Sequence, residues 1–203
     1  MKLDHIAVSG ETLDEAVAEV EQALGVAMTG GGRHAVFATH NRLLGLADGL
    51  YIEAIAADPD GTPPLRPRWF DLDSFRGPAR LTNWVCACDD LDATLAALPT
   101  HVGAPVSLTR DALSWRMAVP GGGCLPFDNL HPALMQWDCE QHPSAMLPDS
   151  GCALRRLCVS HPDAGALRDM LRPHLSDDRI AFEEGRPGLF AEIATPSGTR
   201  VLG

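Results

Sequence analysis

The chain has 203 residues, 45% hydrophobic and 21% charged. That balance excludes a disordered or coiled-coil protein and supplies apolar surface for a core without a disulfide or metal staple. Lys and Arg number 16 against 27 Asp and Glu, a formal net charge of −11. The basic residues are dispersed, the densest spots being Arg66-Pro67-Arg68 and Arg155-Arg156. A nucleic-acid backbone or an anionic membrane surface would repel such a chain, and neither is expected as a partner. No apolar run approaches the roughly 18 residues needed to cross a bilayer. Asp4 and His5 stand where the apolar region of a signal peptide would begin, so a cytoplasmic location is expected. The six cysteines are expected to be reduced: Cys86-x-Cys88 is too closely spaced for a zinc knuckle and lies in an apolar run.

In chain order the first unit opens with a strand, Leu3–Ser9. A helix over Thr12–Leu24 follows, with Leu13, Val17, Val20 and Leu24 at helical spacing. Strands are expected at His34–Thr39, Arg42–Ala47 and Leu50–Ala56, with Asp48-Gly49 as a hairpin signal and Gly30-Gly31-Gly32 as turn glycines. The second unit opens at Leu81–Ala87. Its helix runs Asp90–Leu98, and its strands Val106–Thr109, Leu113–Val119 and Ala133–Trp137. The third opens at Leu154–Ser160, with a helix in Pro162–Leu175 and strands at Arg179–Glu183, Leu189–Ala194 and Thr199–Leu202. Each unit reads βαβββ at a period of roughly 75 residues, too long for a solenoid repeat. The expected organisation is unit one over 1–60, a linker over 61–79, unit two over 80–138, a linker over 139–152 and unit three over 153–203. Asp89-Asp90 and Asp163 sit where helix N-termini favour carboxylates.

Strand alternation sorts the residues by face. His5, Ala7 and Ser9 share one side of the first strand; Tyr51, Glu53 and Ile55 share one side of the fourth. Asn83, Val85 and Gln136 are expected to face the same cavity, with Trp84 and Cys86 packed behind. His34, His40 and Asn41 flank the second strand at the mouth. Ser107, Arg110 and Arg116 bring hydroxyl and cationic groups from the second unit. Arginines at a cavity of an acidic chain favour an anionic ligand.

A tandem βαβββ repeat with His in the first strand and Glu in the fourth resembles the vicinal oxygen chelate superfamily, in particular its glyoxalase-like domain proteins of bacteria. The resemblance is carried by Leu3-Asp4-His5, Gly31-Gly32-Arg33-His34, Thr39-His40-Asn41, Tyr51-Ile52-Glu53 and Asp58-Pro59. In the second unit it is carried by Ser107, Arg110, Trp115-Arg116, Pro126-Phe127, Gln136-Trp137 and His142-Pro143. It implies an α+β fold in which paired units form a half-barrel, with the third unit appended. It also implies a divalent ion (Zn, Ni, Mn or Fe) on ligands from the first and fourth strands of both units. At those positions this chain offers His5, Glu53, Asn83 and Gln136. Asn83 is the weakest donor, which leaves His5, Glu53 and Gln136 as the candidate ligand set.

The expected function is that of an enzyme of lyase, isomerase or oxygenase type acting on a small, oxygenated, anionic metabolite. Glu53, His5 and His40 are the candidate catalytic groups. His34, Asn41, Tyr51, Asn83, Ser107, Arg110, Arg116 and Gln136 are the candidate substrate contacts. The alternative is a non-catalytic protein that sequesters a small molecule, as the bleomycin-resistance members of the superfamily do. Arg156 and Leu202 stand near the corresponding ligand positions of unit three, which therefore holds no metal. An unpaired unit of this kind is expected either to pair with a second copy in a homodimer or to pack on the first two and wall off the pocket.

Overall fold

A computed structural model describes residues 1–203. Strand β1 (Lys2–Ser9) leads into helix α1 (Leu13–Leu24). Thr12 caps that helix reciprocally: its side chain accepts from the Glu15 N–H, and the Glu15 carboxylate accepts from the Thr12 N–H. Gly25, left-handed at φ 70°, ends it, and Leu13, Ala16, Val20 and Leu24 form its buried stripe.

The next strand lies earlier than its sequence pattern suggests. β2 is Thr29–His34, residues 35–38 turn, and β3 is Thr39–Gly45. The glycines read as a turn are therefore strand residues. Gly31 takes φ 106°, and a Cβ there would run into the Asn41 carbonyl oxygen. Only glycine allows β2 to bulge and lie this close to β3. Asp48-Gly49 does make the next turn, both residues left-handed, into β4 (Tyr51–Ala57).

The second half repeats the plan with β5 (Arg80–Ala87), α2 (Leu91–Ala97), β6 (Ala104–Arg110), β7 (Leu113–Val119) and β8 (Ala133–Trp137). All eight strands form one sheet in the order β2-β3-β4-β1-β5-β8-β7-β6. In each half the last strand pairs parallel with the first, and β1 joins β5 antiparallel at the centre. The curled sheet is a half-barrel with a concave face.

The third unit comprises β9 (Ala153–Ser160), α4 (Ala164–Leu171), β10 (Ile180–Glu183), β11 (Gly188–Thr195) and β12 (Gly198–Leu202), preceded by the short helix α3 (Pro143–Met146). It forms its own sheet, in the order β10-β9-β11-β12. Here the strand after the helix, not the last strand, is the parallel neighbour of the first. Its sequence order is that of the other two units; its pairing is not. Leu202 accordingly lies on an edge strand, away from β9. Arg156 pairs with Glu183 at the surface.

This unit packs against the convex side of the large sheet. Leu154, Leu157, Ile193 and Leu202 enter the same hydrophobic core as Ile6 and Trp84, and Trp84 meets Phe182 edge-on at 6.3 Å. It contributes no residue to the concave cavity. No helix is long and apolar enough to cross a membrane.

Candidate active site

Side chains from five parts of the chain converge on the concave face. β1 and β4 bring His5, Tyr51 and Glu53; β2 and β3 bring His34, Asn41 and Leu43. β6 to β8 bring Arg110, Trp115, Met117, Met135 and Trp137. The two segments read as linkers form the roof. Trp69 and Phe70 come from the first, where Trp69 stacks on Phe37 at 4.5 Å; Pro143 comes from the second. The cavity has about 30 Å³ of room. That is space for a water or two.

Its polar groups form one connected chain. His5 Nδ1–H donates to Asp4 Oδ1 at 2.6 Å, and His5 Nε2 stands 3.6 Å from Glu53 Oε2. Asn41 Nδ2 donates to the other Glu53 oxygen at 2.6 Å, while Asn41 Oδ1 accepts from the Gly32 N–H and from Arg110. Arg110 also donates to His34 Nε2 at 3.2 Å, which fixes the proton of His34 on Nδ1, where it donates to Thr39 Oγ1. Asp4 Oδ2 accepts from Trp137 Nε1 and His142 Nε2 at 2.9 and 3.0 Å. Tyr51 stacks on the His5 ring at 4.4 Å.

These contacts set the charges. Burial works against a charged His5, but the hydrogen bonds and charges of Asp4 and Glu53 outweigh it and raise its pKa to about 9. Burial likewise opposes a charged Asp4, yet bonds from His142, His5 and Trp137 hold its carboxyl far below the usual range. Glu53 is also held down: its burial is overcome by His5, His34 and Asn41. Burial, with Arg110 and His5 nearby, lowers His34 to about 4 against the pull of Glu53. Burial raises the Tyr51 phenol well above its normal value. Near neutrality the site thus holds an imidazolium between two carboxylates, a neutral His34 and the Arg110 guanidinium.

Five of the residues read from sequence as site groups lie elsewhere. Gln136 is on the opposite face of β8 from Met135 and Trp137. Its side-chain oxygen accepts from the Leu91 N–H, the start of α2, and from Arg116. Arg116 faces the same way and pairs with Asp92. Ser107, its partner in the β6–β7 register, is exposed. His40 alternates with Asn41 and so points behind the sheet, its Nε2 buried without a partner. Asn83 shares the concave face with His5, but the loop over 125–130 covers it, and Asn129 bonds both Asn83 and the Phe70 carbonyl.

Asp4, unassigned by sequence, is as much part of the cluster as His5. The register of β1 on β5 passes from Leu3↔Cys86 to His5↔Val85, so Asp4 is a bulge residue. The bulge lets two consecutive side chains meet, which plain alternation forbids. Trp69 and His142 had no periodic signal, being outside the strands.

The residues present do not fit a divalent ion. In the register, Tyr51 opposes His5 and Glu53 opposes Ala7; in the second half Ala133 opposes Val85 and Met135 opposes Ala87. The counterparts of His5 and Glu53 are therefore Val85 and Met135, neither a donor for a hard or borderline cation. The set of His5, Glu53 and Gln136 is not assembled, because Gln136 is behind the sheet. No cluster of three or more His, Cys, Asp or Glu side chains has the arrangement of a metal site. His5 is committed to two carboxylates, and a guanidinium projects into the same space.

The model of the glyoxalase-like domain family matches residues 3–175. No curated protein matches. A hypothetical protein from Staphylococcus aureus superposes with a TM-score of 0.59 at 14% identity, over 98% of this chain and 83% of that one. Methylmalonyl-CoA epimerase from Mycobacterium tuberculosis gives a TM-score of 0.44 at 16% identity, over 66% of this chain and 85% of the other. At such identities the likeness is one of fold.

Proposed function

The chain belongs to the glyoxalase-like domain family, and from that premise we propose that it is an enzyme moving a proton on a small, oxygenated, anionic metabolite without a metal. The observation that carries this reading is the His5 Nε2–Glu53 Oε2 pair, 3.6 Å apart, buried and facing the cavity between the first two units. One side chain has a proton to give and the other an oxygen to receive one. Glu53 Oε1 is occupied by Asn41, which leaves Oε2 as the accepting atom.

Glu53 is a weak base, so the proton it takes must be acidified by the substrate itself. A carbon next to a carbonyl meets that need. The C–H proton passes to Glu53 Oε2, and the C–H electron pair moves into the carbonyl, whose oxygen becomes an enolate hydrogen-bonded to His5 Nε2–H. In a 2-hydroxyaldehyde, passage of the hydroxyl proton to the enolate oxygen and return of the carbon-bound proton to the neighbouring carbon complete an isomerisation; departure of a β-substituent completes an elimination. Asp4 holds His5 charged and oriented, Asn41 orients Glu53, and Arg110 anchors the substrate's negative charge. Trp69, Phe70 and Pro143 exclude water once the ligand is in place.

The test is proton exchange in D₂O, followed by ¹H NMR, with a panel of short 2-oxo acids and 2-hydroxyaldehydes. Wild type is expected to wash out the proton on the carbon next to the carbonyl, and Glu53→Gln to slow this by about 10²–10⁴-fold. Ligands that bind without exchange would overturn the enzymatic reading and leave sequestration. The aromatic lining of the cavity, with Tyr51, Trp69, Phe70, Trp115 and Trp137, favours that second reading.

A further inference from the structure

Beside this cavity a second depression, of about 190 Å³, shares Leu43, Arg110 and Pro143 with it. Its wall is largely apolar: Leu113, Met146 and Leu147 line it, and Met146 is 56% exposed, unusual for a large hydrophobic side chain. Arg110 stands on the partition. Its guanidinium is bonded to His34 Nε2 and Asn41 Oδ1, both neutral, and it forms no ion pair although Asp111 is on the same wall. A half-buried guanidinium with only neutral partners, in a chain of net charge −11, is a seat for a ligand carboxylate.

We infer that the substrate is an amphipathic acid, its carboxylate on Arg110, its carbonyl directed inward to His5 and Glu53, and an aliphatic tail in the Leu113–Met146–Leu147 depression. This rests on the proton-transfer reading of the inner cavity and adds the substrate class. The inner cavity, at about 30 Å³, takes only the reacting end of a molecule; the outer one takes several methylenes. Docking of the carboxylate replaces one neutral partner of Arg110 with an opposite charge. The tail covers apolar surface that the folded chain leaves in water.

The experiment is titration calorimetry of the intact protein with straight-chain 2-oxo acids from pyruvate to 2-oxooctanoate. Affinity is expected to rise up to about fourfold per methylene and then level as the depression fills. Met146→Asp, at an exposed position, is expected to flatten that rise, and Arg110→Gln to weaken every acid while leaving the matching methyl ketones unaffected. Affinity independent of chain length, or a rise that survives Met146→Asp, overturns the inference even if short acids still exchange their protons. Chain-length-dependent binding without exchange upholds the amphipathic site and overturns the proton-transfer reading instead. No binding of any acid at millimolar concentration overturns both.

Discussion

Asp4 and His5 are consecutive in the chain, yet their side chains meet, His5 Nδ1 donating to Asp4 Oδ1 over 2.6 Å. Because Asp4 also accepts from Trp137 and His142, it ties β1 to β8 and to the second roof segment. Asp4→Asn removes the buried charge that three donors share. We expect it to destabilise the fold by about 3–5 kcal/mol, read from urea denaturation at neutral pH. The His5 ring signals in the same variant should titrate well below the wild-type value of about 9.

The same pair shapes the alkaline side of the stability curve. His5 is raised to about 9 in the folded chain from an ordinary value of 6.5. Between these values the folded state binds more protons than the unfolded one, so stability falls as pH rises. The contribution of His5 is complete below pH 6.5 and gone above about 9. Urea midpoints from pH 6 to 10 should show this decline in wild type and a flatter line in Asp4→Asn; a flat wild-type line would mean that His5 is neutral in the fold.

Much of the half-barrel is legible because its strands are short apolar runs bounded by turn residues. Leu113–Val119 and Ala133–Trp137 coincide with β7 and β8, and Asp48-Gly49 marks the turn it makes. β2 was placed too late because three glycines carry no side-chain pattern, and the strand they form depends on a close approach to Asn41. Matching the repeat to the first unit aims Gln136 into the cavity, and the structure does not. One step of register reverses a strand's faces, and the hydrogen bonds from α2 and Arg116 hold it behind. Asp4 was hidden by the bulge, and the roof by lying in segments whose order comes from tertiary contacts such as Trp69 on Phe37.

Gly31 should tolerate no side chain. Gly31→Ala would place a Cβ against the Asn41 carbonyl at a backbone φ of 106°, and moving β3 to relieve it would draw Asn41 away from Glu53. A loss of about 2–4 kcal/mol is expected. Gly25→Ala, at φ 70° with open space around it, is the comparison and should lose only about 1 kcal/mol. Equal urea midpoints for the two variants would show that β2 gives way without strain.

Two buried histidines should govern the acid limb. Burial lowers His34 and His131 to about 4, and His131 Nε2 has no partner at all. From pH 6.5 down to about 4 the unfolded chain binds protons that the folded chain refuses, so stability falls as pH falls. The slope is at most about 1.4 kcal/mol per pH unit for each histidine. His131→Leu is close in volume and lies outside the cavity; it should remove one histidine's share of the slope. A slope unchanged in that variant would mean that His131 is already protonated in the fold.

The apolar counterparts of His5 and Glu53 lead to a prediction about metals. With Val85 and Met135 in the second half, only one imidazole and one carboxylate, His5 and Glu53, stand at the positions where the two halves would supply ligands, and each is already engaged. Chain purified without chelators should hold less than about a tenth of an equivalent of Zn, Ni, Mn or Fe, measured by plasma mass spectrometry. An ion that bound only the folded state at a hundred times its Kd would stabilise it by about 2.7 kcal/mol, so the absence of a melting shift on adding these ions is equally diagnostic. Proton exchange should survive treatment with EDTA, since Glu53 and His5 supply both halves of the transfer. Near-stoichiometric metal in wild type that disappears in a His5→Ala/Glu53→Ala double variant would reverse the assignment, because the guanidinium of Arg110 would then have to yield its place in the cavity to a second cation.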